Sequence, residues 1–356
     1  MFDTQPLPMS RTNLLSIVLA ISAALTLPVF AVTTDPAGFI TLTVEGHDGA
    51  AASKLSYIGL SMTQIPAHQG TFESAAGAVV TDNEGPWTDN QYNGAGNAHY
   101  VELITGTGAG IMTQITGTNN AGNSLTLAED LSGFITGQTP VSYRIRKNWT
   151  IGSLFGATNS AGLGGGTSTT ADEVLVYNPL AMPAGYTTYY YKTSGVGGIG
   201  WRSTNSTSVD ESGAPLAPTT GIIVRRKQAA DVSFPLTGAV KLGQTAIPIE
   251  TGLNFVSNVF PSGNMTLGNC NLVTSGFFGG TSTSADHLLL YNHATGAYKT
   301  YYFKTSGVGG TGWRSTDSTT IDETNTPLPF GQSFIVKRNG GRAPFDWTAP
   351  QPFVVN

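Results

Sequence analysis

The chain has 356 residues, of which only 11% are charged, against roughly 25% in an average soluble protein, while glycine alone supplies 45. A net charge of −5 diluted over this length does not point to nucleic acid or an anionic membrane as a partner, and 10% aromatic residues argue against global disorder. The chain is long enough for two or three domains with cores of their own.

The N-terminal residues read as an address. Arg11 precedes an apolar run over residues 14–27, Pro28 breaks it, and Val29-Phe30-Ala31 offers small residues where a signal peptidase reads. Residues 1–31 are therefore expected to be a signal peptide, with the mature chain starting at Val32; Met9 is an alternative start that sets Arg11 close behind the initiator. The run is short for a membrane span of about 20 residues, so no transmembrane segment is expected after cleavage. The expected location is secreted, extracellular or at the cell surface, with the periplasm as the other compartment. Cys270 is the sole cysteine, so no internal disulfide can form, and a small buried side chain is its expected role.

Further along, residues 55–66 form a short apolar stretch ending in isoleucine-proline. Strands are expected at 99–104, 110–115, 124–127 and 141–145, with Gly106-Thr-Gly-Ala-Gly110 as a turn between the first two. Spacing near ten residues suggests a small barrel or meander. Residues 173–177 are an apolar run, residues 186–192 alternate aromatic with polar side chains, and residues 195–200 are a glycine-rich hairpin tip. Residues 221–226 close the series as an apolar strand ending in bases.

Most of this recurs. Residues 186–204 and 298–316 agree at sixteen of nineteen positions, 165–178 pairs with 279–292, and 221–226 with 333–338. A match this long marks a duplicated structural unit. Residues 251–261 resemble 55–66, whereas 67–148 has no counterpart and is read as an insertion, which surface loops tolerate. The expected fold is all-β: a duplicated β-sandwich or barrel-like domain with a small inserted β-barrel or meander module. The first copy spans 32–232, with the insert at about 67–148, and the second spans 233–356.

The order Gly252-Leu-Asn-Phe-Val-Ser-Asn258 with Pro261, Ala-Asp at 171–172 and 285–286, Tyr-Tyr at 189–190 and 301–302, then Gly-Trp at 200–201 and 312–313 resembles an uncharacterised repeat-containing family of secreted proteins from Verrucomicrobia and related bacteria. The glycine-rich turn of the insert is similar to small β modules of secreted and phage-associated proteins. Neither resemblance implies an activity or a catalytic residue.

The chemistry of the chain offers few sites. Gly164-Gly-Gly-Thr-Ser168 lacks the lysine of a phosphate loop and has no helix behind it, so it reads as a turn. None of the five histidines accompanies a Gly-x-Ser-x-Gly elbow. Asp172, Asp210, Glu211, Asp286, Asp322 and Glu323 recur in both copies. Adjacent carboxylates on a strand point to opposite faces and cannot form a glycosidase pair, so calcium is the cofactor they would best serve. Tyr189, Tyr191, Trp201 and Arg202, with Tyr301, Phe303, Trp313 and Arg314, form candidate stacking surfaces for a glycan. Packing of the sheet explains the same aromatics more simply, and burial of both indoles is expected. The leading reading is a secreted, non-enzymatic structural or surface-associated β protein of the cell surface or extracellular matrix, self-assembling or bound to other surface components. A carbohydrate-binding module is the alternative, and a secreted hydrolase the third.

Overall fold

The structure is a computed structural model that describes residues 35–354 apart from 50, 51, 95, 120, 121 and 139. The expected signal peptide lies outside the described residues. The described chain is almost entirely antiparallel β; its helices α1 (Ser132–Ile135), α2 (Ile151–Phe155) and α3 (Leu272–Ser275) are single turns. The all-β fold is as the sequence leads one to expect.

Two five-stranded sheets form the body. The first runs β2 (Lys54–Gly59), β15 (Gly221–Arg226), β11 (Glu173–Asn178), β12 (Gly185–Lys192), β13 (Gly200–Ser203). The second runs β18 (Gly252–Ser257), β22 (Ser333–Arg338), β19 (His287–Asn292), β20 (Ala297–Lys304), β21 (Gly312–Ser315). Numbered within each sheet by chain order, both read 1-5-2-3-4. Register matches too: Tyr191 opposes Trp201 and Tyr190 opposes Arg202, as Phe303 opposes Trp313 and Tyr302 opposes Arg314.

A two-stranded ribbon covers one face of each sheet. Strand β1 (Ala37–Val44) pairs with β16 (Val232–Ala239), and β17 (Thr245–Ile249) with β23 (Phe345–Ala349). The division expected at 232/233 falls where β16 begins, and β16 is bound along its whole length to β1, the ribbon of the first sheet. Alternation along the strands divides their side chains between two cores. Ile58, Val174, Ile222 and Val224 join Leu42, Val44, Phe234 and Leu236 beneath the first ribbon. Val256, Leu288, Phe334 and Val336 do the same with Ile247, Ile249 and Trp347 beneath the second. The remaining faces meet each other through Tyr57, Ile223, Phe255 and Ile335, with Leu175, Tyr177, Leu289 and Tyr291 around them. The layers are thus ribbon, sheet, sheet, ribbon.

Contacts across the inner faces come in equivalent pairs. The Gly59 N–H donates to the Gly331 carbonyl at 3.0 Å, and that of Ser257, its positional counterpart on β18, to the Thr219 carbonyl at 3.0 Å. The approach is close enough to require glycine: a Cβ on Gly59 would stand 2.6 Å from the Gln332 carbonyl oxygen, and one on Gly221 2.6 Å from the Ser333 Cβ.

Residues 66–147 hold a sheet of their own. Its order is β3 (Pro66–Phe72), β9 (Val141–Lys147), β6 (His99–Leu103), β7 (Met112–Asn119), β8 (Ser124–Leu127), β5 (Val79–Thr81), β4 (Ser74–Ala76). Bulges at Pro66/His68 and Ile115/Gly117 bend it. It encloses a separate core built on Phe72, Val101, Leu125, Ile135 and Tyr143.

Candidate functional site

The hairpin loop at residues 193–199, between β12 and β13, and its counterpart at 305–311 are built alike. Gly195, Gly197, Gly198 and Gly200 take φ of 92°, 87°, 74° and 139°, and Gly307, Gly309, Gly310 and Gly312 take 94°, 89°, 73° and 140°. Only glycine adopts such a succession without strain. The loop carbonyls are gripped from below by two cations. Lys192 donates to the Val196 carbonyl and, at 2.9 Å, to that of Thr207; Lys304 donates to the Val308 carbonyl and, at 3.0 Å, to that of Thr319. Arg202 donates to the carbonyls of Gly197 and Trp201, and Arg314 to those of Gly309 and Trp313. The tips nevertheless present apolar side chains to solvent. Val196 is 88% exposed and Val308 82%, with Val209 and Ile321 exposed on the adjoining loops.

The structure closes the proposed stacking surface. Trp201 and Trp313 are 0% and 3% exposed, inside the cores beneath the ribbons. The Trp201 indole N–H donates to the Gly156 carbonyl at 2.8 Å, and Phe155 packs 5.8 Å from its ring. Tyr191 and Phe303 meet the same indoles edge-on at 5.5 and 5.8 Å. Tyr189 is half-buried against the first core, and Tyr301 lies buried in the second with the Lys299 ammonium 5.1 Å from its ring. Arg202 and Arg314 are buried beneath their loops. The aromatic side chains come together, but on the covered side of each sheet, while Arg202 and Arg314 lie on the other face opposite Tyr190 and Tyr302, so neither indole offers a face to a sugar.

The carboxylates divide into three kinds. Asp172 and Asp286 are buried, each on an arginine from the closing strand. Asp172 accepts from Arg226 at 2.5 Å and from the backbone N–H groups of Gly164 and Lys227. Asp286 accepts from Arg338 at 2.8 Å and from those of Phe278 and Asn339. Glu211 takes the Ser203 hydroxyl at 3.2 Å, while Glu323 takes Lys299 at 2.7 Å and Thr326 at 2.8 Å. Burial opposes the charge of Glu323, yet those donors hold its carboxyl below the ordinary value. Asp210 and Asp322 are exposed and fold back on Ser212 and Thr324 in the next turn. Bonds from Thr324 lower the Asp322 carboxyl. The six carboxylates do not converge, and among the described residues no group of three or more His, Cys, Asp or Glu is placed to hold a metal ion. The arginine partners left a trace in the sequence: both five-stranded sheets include a strand that ends on a base, Arg226 or Arg338, and both have Ala-Asp before their central strand.

A second feature breaks the likeness of the halves. A cavity of about 340 Å³ is lined by His47, Lys54 and Leu55 from the first half and by Tyr291 and His293 from the second. The Tyr57 backbone N–H donates to His293 Nε2 at 3.2 Å, and His293 Nδ1 stands 3.7 Å from Glu45. Burial lowers the His293 imidazole below its ordinary value. Cys270 is buried and its thiol is pushed up to about 11 by burial, which disfavours the thiolate a nucleophile needs. Compared with models of protein families, with curated proteins and with solved structures, the chain finds no match.

Proposed function

We propose that this chain is a secreted, non-enzymatic β protein of the cell surface or extracellular matrix, which associates with copies of itself through its duplicated glycine-rich loops. One observation carries this reading. Val196 and Val308 stand 88% and 82% exposed on loops whose carbonyls are locked by a buried lysine and arginine. The glycines and the cations are needed to shape the loop; an exposed valine is not, yet both copies keep it. A rigid apolar tip loses little conformational entropy on contact, which favours association. Two tips per chain permit each molecule to engage two others, the requirement for an extended assembly.

The same reading takes the chain as two copies of one domain divided within residues 240–244, because β16 belongs by its pairing to the first. Residues 67–148 are its insertion. The buried Asp–Arg pairs and buried indoles support structural rather than catalytic duty for the motifs that recur.

The test is size exclusion and electron microscopy of the mature chain, with Val196→Asp and Val308→Asp singly and together. Assemblies that shrink with one substitution and vanish with both are expected. A monomeric parent that binds a glycan array would replace the proposal by the carbohydrate-binding reading.

A further inference from the structure

Five charged side chains meet where the inserted sheet touches the rest of the molecule. Glu102 comes from β6, Arg144 and Arg146 from β9, Asp35 from just ahead of β1, and Lys241 from the segment joining β16 to β17. All are 10% exposed or less at the side chain. Arg146 donates to Glu102 at 2.9 Å, to Asp35, and to the Gln64 carbonyl at 2.8 Å. Lys241 Nζ lies 2.5 Å from the second Glu102 oxygen and donates to the carbonyls of Leu242 at 2.7 Å and Gln244 at 3.1 Å. Two of its N–H groups are thus given to carbonyls, and its charge lies against Glu102. Arg144 differs. Its Nη1 stands 3.0 Å from Asp35, and among the described residues it has no other polar partner.

Three positive groups face two negative ones, so the cluster carries one positive charge in excess. Burying an uncompensated charge is expensive, and proteins compensate it with a counter-charge. A cavity of about 110 Å³ adjoins the cluster, lined by Arg144, Glu102, Lys241 and the chain at Gly110, Gly243 and Gln244. Part of its wall is bare backbone: Gly110 sits at φ 93°, and a Cβ there would stand 2.6 Å from the Gln244 carbonyl oxygen. A water needs only about 10–15 Å³ of such space, so a small ion of a few heavy atoms fits. The Glu102 oxygens are turned to Lys241 and Arg146, which leaves the guanidinium of Arg144 as the group with donors to spare. A guanidinium presents paired N–H groups that match two oxygens of one anion better than they match a halide.

We propose that this cavity binds one small oxyanion, of the phosphate or carboxylate class, on the free edge of Arg144. Bound there, the ion joins the insert to the segment between the two halves and stabilises their docking. The experiment is isothermal titration and thermal melting of the whole mature chain with inorganic phosphate, with acetate and with chloride, at constant ionic strength. About one site per chain and a saturable rise in melting temperature are expected with phosphate or acetate, the stronger of the two identifying the class, and none with chloride. Arg144→Gln should abolish both signals, while Arg225→Gln, a half-buried arginine of the first sheet paired with Glu173, should keep them. The absence of heat and of a saturable shift in the parent overturns the site, as does an equal shift in Arg144→Gln. If Arg144→Gln does not fold, resonance broadening of whichever of phosphate and acetate bound in the titration, by the parent and competed by the other, decides, and its absence is equally fatal.

Discussion

Tyr57 on β2 and Phe255 on β18 hold equivalent places in the two sheets, and each reaches across to the other half. Tyr57 lies 4.5 Å from the ring of Tyr291 and 5.6 Å from that of Tyr298. Phe255 lies 5.1 Å from Tyr177 and 5.6 Å from Tyr186, which occupy the same positions in the first sheet. The interface is self-complementary, as in a two-fold dimer, although it lies within one chain. Between the two sets of rings the chemical difference is a hydroxyl: Tyr57 hydrogen-bonds the hydroxyl of Tyr298, and Phe255 has none to offer Tyr186.

Closeness at this interface makes Gly59 a sensitive position. Gly59→Ala sets a methyl against the Gln332 carbonyl, and overpacking of this kind costs about 1–3 kcal/mol. Gly133→Ala, where a Cβ meets nothing within 4 Å, serves as the control and should leave stability within about 0.5 kcal/mol. Denaturant midpoints of the two variants check both statements.

Removing either buried indole should be severe. Trp201→Ala and Trp313→Ala are expected to cost about 3–5 kcal/mol each, as large cavities do. Thermal melts matching the parent would contradict the burial described above.

The buried carboxylates are expected to matter through their arginines. Asp172→Ala leaves Arg226 unpaired in the interior, and Asp286→Ala does the same to Arg338, at about 3–5 kcal/mol each. Asp210→Ala, at a side chain 63% exposed, should be nearly neutral. Calcium added to the parent should shift none of these melts; a calcium-dependent rise lost in Asp172→Ala would restore the metal reading.

Acid should weaken the fold in two stages. Burial lowers His68, His99 and His293 from 6.5, so the unfolded chain takes up protons first and stability falls as pH drops below that value. Burial opposes the charge of Glu102, yet Lys241 and Arg146 together hold it below 4.5, so its contribution is present above that pH and lost beneath it. Urea midpoints measured from about pH 8 to about pH 2 should show both declines. His293→Gln should reduce the first, with His68 and His99 still contributing, and Glu102→Gln the second.

Much of the sheet structure was legible because strands announce themselves locally. The apolar runs at 221–226 and 124–127 coincide with β15 and β8, and the aromatic alternation over 186–192 falls within β12. The strand expected at 110–115 instead starts at Met112, because residues 106–110 turn with Gly106 and Gly110 at positive φ. Which side of a sheet is covered is not a local property. Period-two alternation assigns Trp201 to one face and Tyr190 to the other, but only the ribbon from β1 and β16 determines what lies over the indole. The Asp172–Arg226 pair spans two strands, and the Asp35, Glu102, Arg144, Arg146 and Lys241 cluster joins four separate segments. No spacing rule connects such residues before the chain is folded.

The long stretch of chain between β2 and β15 also sets an order of events in folding. Gly59 must find Gly221 across more than twice the chain separation at which Ser257 finds Ser333. Closure of the second sheet is therefore expected to precede closure of the first, since distant pairings pay their loop entropy before they gain contacts. While the first sheet waits, its vacant edge beside β15 matches the one that β18 fills in the second. Exchange of these two strands, within a chain or between neighbours, is the misfolded product to look for when the protein refolds at high concentration.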